Sequence, residues 1–330
     1  MRTEFTPMKK YIGTVLAVII VLTLVALGFV FSPYGFTKTQ EETFLILGII
    51  CACSMAYCFI VGEITRNNSQ MDKLWSILPI AYAWVIAIKG ECKPRLVLFA
   101  LVVTLWGIRL TINFARKGAY RLKFWTGEED YRWQVLRQKK GLNKRLPWAM
   151  FDLFFISIYQ NALVLAICLP AFAAMSSDAP LGAWDFVGIG LAFGFLLLET
   201  AADEQQMDFH TTKNNMLKEG KTLQELPLPY SRGFNTVGLW ARSRHPNYLG
   251  EQGVWLSLYA VAIGAGVCGY TVFHWTMVGP LVLVFLFLGS SAFGEGVSNG
   301  KYPEYKYYLA SVSKYLPLWK YNPEKAKNKQ

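Results

Sequence analysis

Apolar runs of the length a helix needs to cross a bilayer recur along this chain, near residues 11–31, 42–62, 74–90, 96–115, 148–174, 182–203, 252–271 and 274–293. About 20 residues span the hydrocarbon core, and backbone groups in lipid must satisfy each other within the segment, so such runs are built as helices. The expected fold is an all-α, polytopic transmembrane helix bundle of about eight spans. Composition agrees, because 53% apolar and 15% aromatic side chains against 17% charged residues exclude an ordinary soluble domain.

Charge sets the expected orientation. Lys9 and Lys10 before the first run imitate a signal peptide. No small-x-small cleavage site followed by a polar chain appears, so an uncleaved anchor is expected. Residues 116–147 carry ten Lys or Arg, 204–250 carry six and the tail from 295 carries seven, whereas 175–182 and 271–274 carry none. Short cytoplasmic loops collect positive charge, which puts both termini in the cytoplasm. Lys89, Lys93 and Arg95 break the pattern. The net charge of +11 follows from orientation and from contact with anionic headgroups, and nucleic acid need not be invoked. The expected organisation is N-terminal transmembrane helices over 1–66, a membrane domain over 67–320 with cytosolic loops 116–147 and 204–250, and a flexible basic tail over 321–330. The six cysteines have no zinc-like spacing and read as small buried hydrophobes, and the three histidines show no metal-ligand interval.

Two polar constellations interrupt the grease. Glu199, Asp203, Gln206 and His210 follow one another at intervals of four, three and four, so on a helix they form one stripe. Glu199 and Asp203 border hydrocarbon, where an ionisable group is expensive and marks a site. Downstream stands Arg244-His245-Pro246-Asn247-Tyr248-Leu249-Gly250-Glu251. Pro246 suits a first helical turn, which sets Asn247 and Glu251 on one face above Trp255. If residues 211–243 fold back, that face meets the Asp203 stripe. Arg232, Arg242 and Arg244 add fork-shaped donors suited to phosphate. No glycine-rich phosphate loop is present, which excludes a Rossmann or P-loop site. The residues alone predict a cytosol-facing pocket for a phosphorylated or adenosyl cofactor, open to the bilayer, and name no reaction.

The run Gly238-Leu239-Trp240, the segment Ser243–Glu251, the upstream Ala202-Asp203-Glu204-Gln205 and the closing Tyr302-Pro303-x-Tyr305 resemble the membrane steroid 5-alpha-reductase-like superfamily. Asn67–Pro79 and Gly127–Arg137 resemble its bacterial branch labelled DUF1295. The resemblance implies a bacterial inner-membrane enzyme that holds NADPH in its last helices. Its implied reaction is reduction of an enone carbon-carbon double bond in a lipid or steroid-like substrate arriving from the bilayer. Asp203, Asn247 and Glu251 match cofactor positions, with Glu199 beside them and Arg244, His245 and Tyr248 in the same motif. His210 stands where relatives carry arginine, so Arg232, Arg242 and Lys306 are the expected replacements. Ser290 and Ser291 stand in a last span that is basic in the steroid enzymes, and the substrate tyrosine has no match within Trp106–Arg116. Asp72 beside Gln70 fills the place of the catalytic glutamate.

An enone gathers negative charge on its carbonyl oxygen as hydride arrives, so a donor must wait there. Asp72, kept protonated by an apolar setting, is the first candidate and Arg109 the second, although Arg109 could instead snorkel. Two other readings stay open. One is an S-adenosylmethionine-dependent lipid or isoprenylcysteine-type methyltransferase. The other is a lipid-binding membrane protein without activity. Steroid, polyprenoid, fatty acyl and quinone-like lipids all suit an apolar cavity lined by Trp75, Trp106 and Phe154. The sequence fixes neither NADPH against NADH nor the oligomeric state.

Overall fold

In the computed structural model of the chain, residues 35–318 and 320–322 are described, together with residues 23, 26, 27 and 30. Most of the expected 11–31 span, with Lys9 and Lys10, and the tail beyond 322 lie outside the described residues. The elements are α1 Lys38–Thr65, α2 Gln70–Leu74, α3 Leu78–Lys89, α4 Pro94–Arg116 and α5 Tyr131–Arg137. There follow α6 Arg145–Ala174, α7 Ala183–Lys218, α8 Pro246–Leu258, α9 Ala260–Gly264, α10 Val278–Lys301 and α11 Tyr305–Ser311. No strand occurs among the described residues. Local signals explain several starts. Thr37 and Gln40 form a reciprocal capping box on α1, Asp130 accepts the Arg132 amide at 2.9 Å to cap α5, and Pro94 and Pro246 open α4 and α8.

Among the described residues, five helices are long and apolar enough to cross a membrane: α1, α4, α6, α7 and Trp275–Lys301, which contains α10. By length and composition they make this a multi-pass membrane protein. Of the eight expected runs, 11–31 lies mostly outside the described residues, and the runs 74–90 and 252–271 become the 12-residue α3 and the 13-residue α8 followed by short α9, too short to span. Tyr82, Ile86 and Ala87 of α3, and Val254, Trp255 and Ala262 of α8 and α9, are fully enclosed by protein. These runs are apolar because they pack inside the bundle, and hydropathy cannot distinguish that surrounding from lipid.

Helices α8 and α9 lie antiparallel on α7 at backbone contact. A methyl group on Gly250 would stand 2.5 Å from the Glu199 Cβ, and one on Gly188 2.6 Å from the Ala260 Cβ. Helices α4 and α7 run parallel at a constant offset of 90 residues, which pairs Arg95 with Asp185 and Asn113 with Asp203. The Arg95 pair is buried and complete. Nε and Nη2 donate to Asp185 Oδ1 and Oδ2 at 2.6 and 3.0 Å, Nη1 to Ala179 O, and Nη2 also to Pro180 O and Gly264 O. Lys93 donates to Met175 O, Ser177 O and Asp178, and Lys89 to Glu42. The three basic residues that break the charge pattern are therefore bound to partners.

The segment Asn67–Lys73, expected to share a motif with Gly127–Arg137, is stitched to that loop from within. Asn67 Nδ2 donates to Gly127 O at 3.0 Å, Lys73 Nζ to Phe124 O and Thr126 O at 2.8 and 2.7 Å, and the Asp130 amide to Ser69 Oγ at 2.9 Å. A second small core of Phe234, Tyr305, Tyr308, Val312 and Tyr321 secures the segment before α8. Tyr321, expected to begin the flexible tail, is buried there, and its amide donates to Ala241 O. Of the cysteines, Cys53 and Cys92 are exposed and the other four buried.

Candidate functional site

Four turns beyond the Arg95 clasp, the same two helices meet again. Arg109 of α4 reaches inward, not to the surface, and forms ion pairs with both Glu199 and Asp203 of α7. Asp203 Oδ2 accepts Arg109 Nη1 at 2.6 Å and Asn113 Nδ2 at 2.8 Å, while its Oδ1 accepts Asn247 Nδ2 at 3.0 Å from the first turn of α8. The residues between α7 and α8 do fold back. One turn further, Glu251 Oε1 accepts the Trp75 indole N–H at 2.9 Å, and Gly250 lets the α8 backbone close on Glu199. Trp106 and Trp255, fully buried and edge to face at 5.1 Å, lie one turn below Arg109 and Glu251 on their helices.

This cluster is conspicuous for what it leaves unmade. Arg109 Nε, Asn113 Oδ1, Asn247 Oδ1, Glu199 Oε2 and Gln206 Oε1 are buried without a hydrogen-bond partner, as are the indole nitrogens of Trp106 and Trp255. Orphaned buried polar groups cost about 1–3 kcal/mol each, so their concentration here needs a cause. Three carboxylates, Glu199, Asp203 and Glu251, also gather around Arg109.

The other expected residues divide. Arg244 Nε donates to Glu295 Oε1 at 2.8 Å, its Nη1 to Leu309 O and Val312 O, and its amide to Ser313 O. His245 Nε2 lies 2.9 Å from the same Glu295 oxygen, with its ring stacked on Tyr248 at 5.2 Å. Burial pushes the His245 imidazole below its ordinary range against the pull of Glu295, so at neutral pH it donates as neutral imidazole. Both are thus committed within the protein. Arg232 bonds Thr236 at 3.0 Å and stands 3.6 Å from Glu304, whereas Arg242 and Lys306 are exposed away from the knot. Phe154, expected in the cavity, is 56% exposed on the outer face of α6.

Asp72 occupies a third arrangement, at the join of α2 and α5. Its Oδ2 accepts Trp133 Nε1 at 2.7 Å and its Oδ1 lies 3.5 Å from Arg132 Nη2. Burial raises the Asp72 carboxyl above the usual range, while the Arg132 guanidinium pulls it down. Arg132 also stands within electrostatic reach of Tyr248 and Glu251, linking this arrangement to the knot.

Sequence reasoning missed Asn113, Arg132 and Trp133 as site members, along with Glu295 as the partner of Arg244. Asn113 had a usable signal, since it lies one turn after Arg109 in an apolar run. The pairings across 51 residues to Glu295 and 61 residues to Trp133 had none.

A family model described as a protein of unknown function, DUF1295, matches residues 58–312. The chain is 34% identical over 275 residues to an uncharacterized protein of Schizosaccharomyces pombe, covering 78% of this chain and 77% of that one. That relative is fungal and lends the expected bacterial setting no support. No solved structure matches the chain.

Proposed function

The chain belongs to the DUF1295 family, and we propose that it is a membrane-embedded NADPH-dependent reductase of an enone carbon-carbon double bond in a lipid or steroid-like substrate. The observation that carries this reading is the knot on Asp203, a buried, pre-aligned set of amides, carboxylates and a guanidinium with unused donors and acceptors. Such a set suits the carboxamide and ribose hydroxyls of a nicotinamide nucleotide, and the resemblance of Asp203, Asn247 and Glu251 to cofactor positions points the same way. When bound, that nucleotide supplies a hydride to the enone.

The remaining roles belong to this chain. Asp203 fixes the orientation of Arg109, Asn113 and Asn247, so that binding needs little reordering of side chains. Trp106 and Trp255 close the floor and keep water from the knot. Asp72, raised by burial, serves as the proton donor toward the substrate carbonyl, and Trp133 and Arg132 hold its position. Turnover of Asp72→Asn tests this role: it should fall about a hundredfold or more with cofactor affinity unchanged, and normal turnover removes Asp72 from the chemistry.

One observation favours a second reading. Three carboxylates against two guanidinium groups, Arg109 and the more distant Arg132, suit a cationic cofactor, and S-adenosylmethionine carries a sulfonium, so a lipid methyltransferase is the rival. Thermal unfolding of the detergent-purified protein with NADPH, NADH and S-adenosylmethionine in parallel decides between them, because a ligand that binds only the native state raises stability by mass action. Stabilisation by a nicotinamide nucleotide is the expected result. Stabilisation by S-adenosylmethionine alone replaces the reductase with the methyltransferase.

A further inference from the structure

The stripe on α7 does not end at His210. Lys213 follows three residues later on the same face and is buried, only 5% exposed. Its ammonium donates to Gly233 O at 2.8 Å and packs against the rings of Phe209 and Tyr302, at 5.6 and 5.8 Å from their centroids. Lys301, from the end of α10, lies 5.3 Å from the centre of that same Tyr302 ring. Two ammonium groups therefore share one aromatic ring, and among the described residues neither forms an ion pair with a carboxylate. Tyr302 cannot retreat, because Gly233 at φ +83° presses on it so closely that a methyl group there would stand 2.1 Å from the ring. His210, whose Nε2 lies 3.2 Å from the Gln206 amide, has Lys213, Lys301 and Lys117 in electrostatic reach.

One helical face is thus acidic at Glu199 and Asp203, polar at Gln206 and His210 and cationic at Lys213. From Glu199 to Lys213 it runs about 21 Å along the axis, at 1.5 Å per residue. Its match is an elongated ligand with uncharged hydrogen-bonding groups at one end and a dianion at the other. A buried ammonium without a carboxylate counterion, faced by a second cation across one ring, is costly, and a phosphate monoester resolves that cost with charge-assisted hydrogen bonds. We propose that Lys213, with Lys301 and His210, holds the 2'-phosphate that distinguishes NADPH from NADH. The inference rests on the reductase reading. It moves phosphate recognition from Arg232, Arg242, Arg244 and Lys306 to the far end of the Asp203 stripe.

Equilibrium binding to the full chain in detergent, followed by tryptophan fluorescence, tests it with NADPH, NADH and adenosine 2',5'-bisphosphate. The unaltered protein should bind NADPH at least about tenfold more tightly than NADH and should bind the bisphosphate alone. Lys213→Gln should erase the preference, and Lys301→Gln should reduce it severalfold, with NADH affinity unchanged in both. Lys301 is exposed, so its variant decides the matter even if Lys213→Gln fails to fold. Equal affinity for NADH and NADPH, or equal weakening of both by these substitutions, overturns the inference and leaves the reductase standing. Failure of both nicotinamide nucleotides to bind overturns the inference and the reductase reading together.

Discussion

The same two helices meet at two buried clusters of arginine and carboxylate that have opposite characters. At one end of α4 and α7, Arg95 faces Asp185 with one charge against one and every guanidinium nitrogen bonded. At the other, Arg109 answers two carboxylates, with Glu251 close by and Arg109 Nε, Asn113 Oδ1, Asn247 Oδ1 and Glu199 Oε2 left orphaned. Chemistry and helices are alike, so the difference lies in completeness. A closed pair holds a fold together, whereas an open one stores interaction capacity for something that arrives later.

Three substitutions test that contrast. The largest effect should come from Asp185→Asn, which strands the Arg95 charge in the interior at a cost of about 3–5 kcal/mol. Thermal unfolding in detergent should show a steep loss of stability, and an unchanged midpoint would reduce the clasp to decoration. Next, Asp203→Ala should lower nucleotide affinity about a hundredfold, equivalent to about 2.7 kcal/mol, while leaving the unfolding midpoint close to normal. A collapse of stability there would make the knot a second clasp. The smallest effect carries the most telling sign. Glu199→Gln removes one of the two acids that share Arg109, so the ligand-free protein should lose no stability and should gain up to about 1 kcal/mol in the same unfolding measurement; a loss on the scale of Asp185→Asn would dissolve the distinction.

Legibility followed the range of the interactions. Hydropathy located the runs that became α1, α4, α6, α7 and α10, because lipid exposure demands continuous grease. It overcounted at α3 and α8, whose residues are greasy for the sake of protein neighbours. The Glu199, Asp203 stripe and its meeting with Asn247 were readable from helical periodicity and Pro246, both local signals. Arg244 suits phosphate by residue type and His245 falls in the cofactor motif, yet Glu295 and the backbone of Ser313 and Lys314 claim them. Arg95 looked like misplaced topology information until Asp185 appeared opposite it. For Arg244, His245 and Arg95 the deciding carboxylate lies 50 or more residues away in sequence.

The constant 90-residue offset between α4 and α7 makes the pair a ruler as well as a scaffold. Arg95 and Arg109 are 14 residues apart on one rail, and so are Asp185 and Glu199 on the other. One residue inserted within either interval would turn its second mark by about 100° and advance it by about 1.5 Å relative to the first. Both marks could then no longer be read together. Lineages of this chain are free to lengthen either helix beyond the marks, but between them the two rails can change length only in concert.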